Sequence, residues 1–200
     1  YEGELTAENI TAYQIATDVE HIGSFESGNQ LVNSLHEIMV RTMVNNMQGK
    51  PTDTPVYEKI GWTGDYNAGM KCFNYNFDTT NFQPYFLGLL QDNTHSNGNV
   101  TRYSPSPYTR DFCPPCWNQA YINGVYSTWK ESGLLSVVEE HYDTMRNQVA
   151  FYKKKMVNHV WTDQTYGDWA SPHDTTRPVE GGAFYSTAAI YRVLLEAAEM

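Results

Sequence analysis

Apolar residues recur along this chain at two different intervals, and the change between them divides it. From Leu5 to Val19 they alternate roughly with polar residues, among them several Thr, which is the period of an extended strand. Gly23-Ser24 then reads as a turn. A single strand pair does not stand alone in water, so residues 1–24 are expected to be the tail of a preceding β domain or linker strands. After Asn29 the interval becomes three and four. Leu31, Leu35, Ile38, Met39 and Val44 make one stripe of an amphipathic helix that ends near Met47, and Gly49-Lys50-Pro51 stops it. The same period predicts helices over 65–73, with Asp65 as N-cap, and over 82–91, with Pro84 in the first turn. Three more follow: 117–132, ended by Gly133; 134–157, with Leu135, Val138, Tyr142, Met145, Val149 and Tyr152 on one face; and 183–200, with its stripe at Ile190, Val193, Leu194 and Ala197.

Residues 93–115 and 158–182 are long polar loops, and loops of that length are commonly functional. No repeat of 30–50 residues with a sequence signature is present, which disfavours a solenoid. Six helices joined by short turns and long loops predict a mainly α, α/α architecture.

Charge and composition narrow the function. Thirteen basic and 23 acidic residues give a formal net charge of −10, which argues against a nucleic-acid partner, since such partners need a basic face. No apolar run approaches the ~18 residues of a membrane-spanning helix, so no membrane insertion is expected. Fifteen Tyr, eight Phe and five Trp accompany only 18% charged residues. Aromatic faces beside neutral hydrogen-bonding side chains suit sugars, whose rings stack while their hydroxyls bind amides and carboxylates.

Cys113-Pro-Pro-Cys116 has C-x-x-C spacing, but no second ligand pair completes a zinc site. Its Pro-rich surroundings do not resemble a thioredoxin-like βαβ context. Loop thiols or one local disulfide are the simpler expectation, and no metal or other cofactor is called for. The sequons at Asn9 and Asn99 lean towards secretion.

The densest chemistry lies between Pro51 and Asp65, where Asp53, Glu58, Asp65 and Trp62 share a turn-rich stretch between two helices. Glycoside hydrolysis needs a carboxylic acid to protonate the leaving oxygen and further carboxylates to hold hydroxyls. Carboxylates near one another favour a protonated acid. The bland alternative makes Asp53 a turn residue, Glu58 a solvated charge and Asp65 a helix cap.

The segments Asn45-Asn46-Met47-Gln48, Pro51-Thr52-Asp53 and Glu58-Lys59-Ile60-Gly61-Trp62-Thr63-Gly64-Asp65 resemble the signature of family 78 α-L-rhamnosidases. Tyr75-Asn76-Phe77-Asp78, Glu140-His141-Tyr142 and Tyr166-Gly167-Asp168-Trp169 follow in matching order. Ser24-Phe25 resembles the join between that family's β domain and its catalytic (α/α)₆ barrel. The resemblance covers residues 15 to 200. It implies a partial (α/α)₆ barrel preceded by a short β segment, with residues 25–200 as the N-terminal half of the catalytic domain and the remainder of the same polypeptide completing the ring.

By the same resemblance the protein is an inverting glycosidase that removes terminal α-L-rhamnose or a related deoxysugar, outside the cell or in the periplasm. Glu58 matches the general acid, and Asp53 and Asp65 match carboxylates that bind rhamnose hydroxyls. Trp62, Trp117 and Trp169 match pocket aromatics. The general base is expected beyond residue 200. Some positions depart from the pattern: Val56 and Lys59 stand where the family often has Arg, and Asn118-Gln119 replaces a Gly-Asp after Trp117. A non-catalytic carbohydrate-binding relative is the alternative.

Overall fold

The computed structural model describes residues 3, 6–106, 112–163, 165–166 and 181–200. Among these the chain forms seven α-helices. They are α1 (Gln30–Asn45), α2 (Thr63–Asn76), α3 (Phe82–Asp92), α4 (Pro115–Asn118), α5 (Ala120–Ser132), α6 (Leu135–Lys155) and α7 (Gly182–Glu199). No helix among the described residues is long and apolar enough to cross a membrane.

Helix α5 is the hub. It packs against α2, α3, α6 and α7, and eight of its residues, from Ala120 to Thr128, are buried. Helix α2 meets it with Tyr66 and Met70, and α3 with Phe86, Leu87 and Leu90. Gly133 ends α5 in the left-handed conformation (φ 72°), its N–H donating to the Trp129 carbonyl at 2.8 Å, as a glycine after a helix commonly does. Beyond α6 the chain reverses through Asn158 and His159, both with positive φ, between the paired Val157 and Val160. That is the mirror-image turn suited to tight reversals.

Four expectations need correction. Residues 6–28 form no strand: Ala7–Asn9 make a 3-10 turn, and beyond it the described segment holds one isolated bridge, His21 with Phe77, rather than a ladder. A strand needs a partner, and here the neighbours are helix ends: Thr17 donates its N–H to the Met47 carbonyl at 2.8 Å. The α1 helix is present, capped by Asn29 Oδ1 on the Leu31 N–H at 2.9 Å. Its stripe nevertheless stays open, with Leu31 77% and Leu35 58% exposed, while Met43 and Met47 pack on Phe73, Phe77 and Phe82. The buried face of α6 is rotated to Val137, Val138, His141, Met145, Gln148, Phe151 and Tyr152, leaving Leu135 and Tyr142 exposed. Residues 117–132 are not one helix, because α4 ends at Asn118. The Asn118 carbonyl is taken by Gln148 Nε2 at 2.7 Å, and the Gln119 side chain turns back to the Cys116 carbonyl at 2.9 Å.

Candidate active site

The loop between α1 and α2 is held by its own side chains. Thr52 is tied to the end of α1, its N–H and hydroxyl reaching the Asn46 carbonyl and side-chain oxygen at 2.9 and 3.0 Å. Asp53 then closes the loop on itself. Its N–H donates to the Ile60 carbonyl at 3.0 Å, and its Oδ1 accepts the Ile60 N–H at 2.8 Å. Within the loop, Thr54 Oγ1 accepts the N–H groups of Tyr57 at 3.3 Å and Glu58 at 3.2 Å. The return needs Lys59 at φ 57°, a conformation that costs a non-glycine residue roughly 1–2 kcal/mol. Glu58 stands at the crest, exposed, with Oε2 accepting the Trp62 indole N–H at 2.7 Å.

The entry to α2 is fixed by the long loop after α3. Thr63 donates both its N–H and its hydroxyl to the Arg102 carbonyl, each at 2.8 Å, and Ser104 N–H reaches the Gly61 carbonyl at 3.1 Å. Two glycines are required by close approach. A Cβ on Gly61 would run into the Ser104 carbonyl, and one on Gly64 would fall inside the Trp117 indole. Asp65 is not the N-cap. That place is Trp62's, and Asp65 lies in the first turn of α2, where a negative charge is favoured by the helix dipole.

Asp53, Glu58, Trp62, Asp65 and Trp117 come together around one cavity of about 370 Å³, joined by Arg102 and Tyr166. The Trp62 ring meets Tyr103 edge-on at 4.8 Å and Trp117 at 5.6 Å, and Trp117 meets Tyr166 at 4.3 Å. The Arg102 guanidinium lies 5.9 Å from the Trp62 ring centre and donates to the Tyr166 hydroxyl at 2.7 Å. Asp65's carboxyl is raised above its ordinary value. Partial desolvation is the largest cause, its own backbone N–H opposes it, and the Asp53 and Glu58 charges add to the rise. Asp65 is nevertheless exposed, so the shift carries little energetic weight. Trp169 lies outside the described residues.

Arg102 and Tyr103 escaped the sequence reading because a lone Arg-Tyr in a polar loop has no periodicity or motif spacing to mark it. Tyr166 heads the quoted Tyr-Gly-Asp-Trp run, so a signal was there. The departures at 118 and 119 face the other way. Asn118 and Gln119 are buried, and Asn118 Nδ2 donates to the Cys113 carbonyl at 3.0 Å while its side-chain oxygen takes the Tyr152 hydroxyl. Cys113 and Cys116 are free thiols and both buried. Burial pushes the Cys113 thiol up, reinforced by Cys116, which makes it a poor nucleophile. Among the described residues no group of three His, Cys, Asp or Glu is placed to hold a metal ion. Asn99 is only 2% exposed and pairs with Asn118, so the folded chain has no room for a glycan there.

The profile of the bacterial alpha-L-rhamnosidase 6 hairpin glycosidase domain matches residues 20–200. An alpha-L-rhamnosidase of Formosa agariphila is 30% identical over 177 residues, which is 83% of this chain and 18% of that protein. The solved alpha-L-rhamnosidase from Dictyoglumus thermophilum superposes with a TM-score of 0.91 at 29% identity, covering 100% of this chain and 23% of the other. That from Aspergillus terreus gives 0.87 at 24% identity over 99% of this chain and 24% of its own, a likeness of fold. The chain thus spans about a fifth of the length of the curated relatives it matches. These likenesses place the helix pairs in part of an (α/α)₆ barrel. The chain belongs to the bacterial alpha-L-rhamnosidase six-hairpin glycosidase domain family.

Proposed function

We propose that the protein this chain comes from hydrolyses terminal α-L-rhamnosides, or those of a related deoxysugar, with inversion. The observation that carries this reading is the convergence of Asp53, Glu58, Asp65, Trp62 and Trp117 on one cavity within a domain of this family. Glu58 is the general acid: it stands at the crest of a clamped loop, solvent-facing. Asp53 and Asp65 bind sugar hydroxyls, Trp62 and Trp117 line the pocket, and Trp169 is proposed to join them. The base that activates water comes from polypeptide beyond Met200, in the half of the barrel that residues 25–200 leave to be built. Residues 1–24 serve as the tail of a preceding β domain or linker strands. A rhamnosylated glycan substrate puts the protein outside the cell or in the periplasm.

The test is release of an aryl chromophore from an α-L-rhamnoside by the full-length protein, beside glucoside and fucoside controls. NMR of the first-formed sugar should show β-L-rhamnose. Retention of the α anomer would refute inversion, and no preference for the rhamnoside would refute the substrate class.

A further inference from the structure

Trp62 was expected to be a wall of the sugar pocket, but its polar edge has a specific partner. Its Nε1–H donates to Glu58 Oε2 at 2.7 Å, across one turn of chain whose course is set by Asp53 and Thr54. Among the described residues Trp62 is the only side chain that hydrogen-bonds the Glu58 carboxyl. The indole itself is fixed on several sides: Tyr103 and Trp117 edge-on, the Arg102 guanidinium over the ring, and the backbone paired with Tyr103. A donor held this firmly on an otherwise exposed carboxyl selects one orientation for it.

We infer that Trp62 is a positioning residue for the general acid, holding Glu58 through Oε2 so that Oε1 carries the transferred proton. This inference rests on the reading of Glu58 as acid. In the step, the proton passes from Oε1 to the glycosidic oxygen as the bond from that oxygen to the anomeric carbon breaks and its electron pair stays with the oxygen. Water adds to the anomeric carbon and gives up its proton to the base. Glu58 is left as a carboxylate.

An N–H can donate to Oε2 before and after the transfer, because Oε2 is the carbonyl oxygen of the acid and then half of the anion. The bond gains strength as charge builds, since hydrogen bonds to ionised acceptors are roughly twice as strong as neutral ones. Trp62 therefore stabilises the transition state more than the bound substrate, the condition for raising kcat rather than lowering KM.

The experiment compares the full-length wild type with W62F, W62H and E58Q on an alkyl rhamnoside and a 4-nitrophenyl rhamnoside. Phe removes the N–H and keeps an aromatic ring. His places Nε2 at the ring position of the indole Nε1. W62F should lower kcat on the alkyl rhamnoside by on the order of tenfold, with a smaller loss on the nitrophenyl substrate, while any change in KM from the smaller ring should be the same on both. W62H should recover most of the loss. Far-UV circular dichroism identifies any variant that fails to fold, and W62L, which also lacks the donor, then stands in for W62F. Equal losses on both leaving groups in W62F, or a change in KM alone, overturn the positioning role if E58Q still discriminates between the substrates. Loss of discrimination in E58Q overturns the acid assignment, and this inference with it.

Discussion

Asp53 does two jobs that substitution can separate. One carboxylate oxygen accepts the Ile60 N–H at 2.8 Å and so closes the loop that carries Glu58, while the residue also lines the cavity. A hydrogen bond to a charged acceptor is worth about 1.5–3 kcal/mol net, a neutral one about 0.5–1.5. Asp53 is half-buried, so the lower end of the charged range applies, about 1.5 kcal/mol. Asp53→Ala deletes the acceptor, and about 1.4 kcal/mol is tenfold in an equilibrium constant. Local opening of the loop should then be about tenfold more frequent. Asp53→Asn keeps an oxygen at the same place and should lose about 0.7 kcal/mol, or threefold. Hydrogen–deuterium exchange at the Ile60 amide reads this directly, because exchange there requires the loop to open. Activity should divide in parallel: both variants raise KM through the lost sugar contact, while only Asp53→Ala adds a fall in kcat. If Ile60 exchanges equally fast in both variants and in wild type, the clamp is not holding the loop and the account of Glu58's placement fails.

Other outcomes follow from the same geometry. Glu58→Gln should cost about 10²–10⁴-fold with a poor leaving group and much less with an activated phenol, measured as kcat/KM on the two rhamnosides; equal losses would return Glu58 to the binding residues. Gly64→Ala places a Cβ inside the Trp117 indole; about 1 kcal/mol gained in helix propensity is set against about 1–3 from overpacking, so stability should fall slightly and rhamnose affinity clearly, and unchanged affinity by calorimetry would show that Trp117 does not touch the sugar. Asp65 is raised above 3.8 in the folded chain, so the fold holds this proton longer than the unfolded chain and loses stability as pH rises through that window. Asp65→Asn should therefore look better relative to wild type at pH 7 than at pH 3.5 in thermal unfolding, and the reverse trend would refute the desolvation argument. His141 is buried against the Tyr121 hydroxyl at 2.7 Å, and burial lowers it below 6.5 although Glu140 opposes this. Below about pH 6.5 the unfolded chain takes a proton that the fold refuses, so stability should fall with acid by up to about 1.4 kcal/mol per pH unit. His141→Gln, which can still pair with Tyr121, should flatten that slope in denaturant titrations.

What the sequence made legible was the part of the site that is local in the chain. Gly61 to Asp65 lie within one turn of a helix start, and each residue there meets a near neighbour or a fixed contact, so their identities and spacing could be read together. The helices were legible from their apolar period, but the faces were only partly so. On α6 the buried positions include His141 and Gln148, polar residues that pattern reading assigns to solvent, while Leu135 and Tyr142 are left exposed. The break after α4 depends on Gln148, which is thirty residues downstream of Asn118 and gave no local signal. Arg102 was invisible for the same reason. It reaches the cavity because the chain after α3 returns to cap Thr63.

Four residues depart from the family pattern: Val56, Lys59, Asn118 and Gln119. Val56 is 69% exposed and does not line the cavity, and Lys59 is consumed by the left-handed turn that brings Ile60 back to Asp53. Asn118 and Gln119 serve a buried network joining α4 to α6. None of the four is among the residues around the cavity. The guanidinium that does line the cavity is that of Arg102, which comes from another loop and lies against the Trp62 ring. A guanidinium there can serve sugar binding through its charge or through its planar shape. Arg102→Lys would separate the two requirements. A lysine keeps the charge but lacks the planar fork that reaches Tyr166 while lying over an aromatic ring, so rhamnose affinity should fall although net charge is unchanged. Unchanged affinity would show that charge alone suffices.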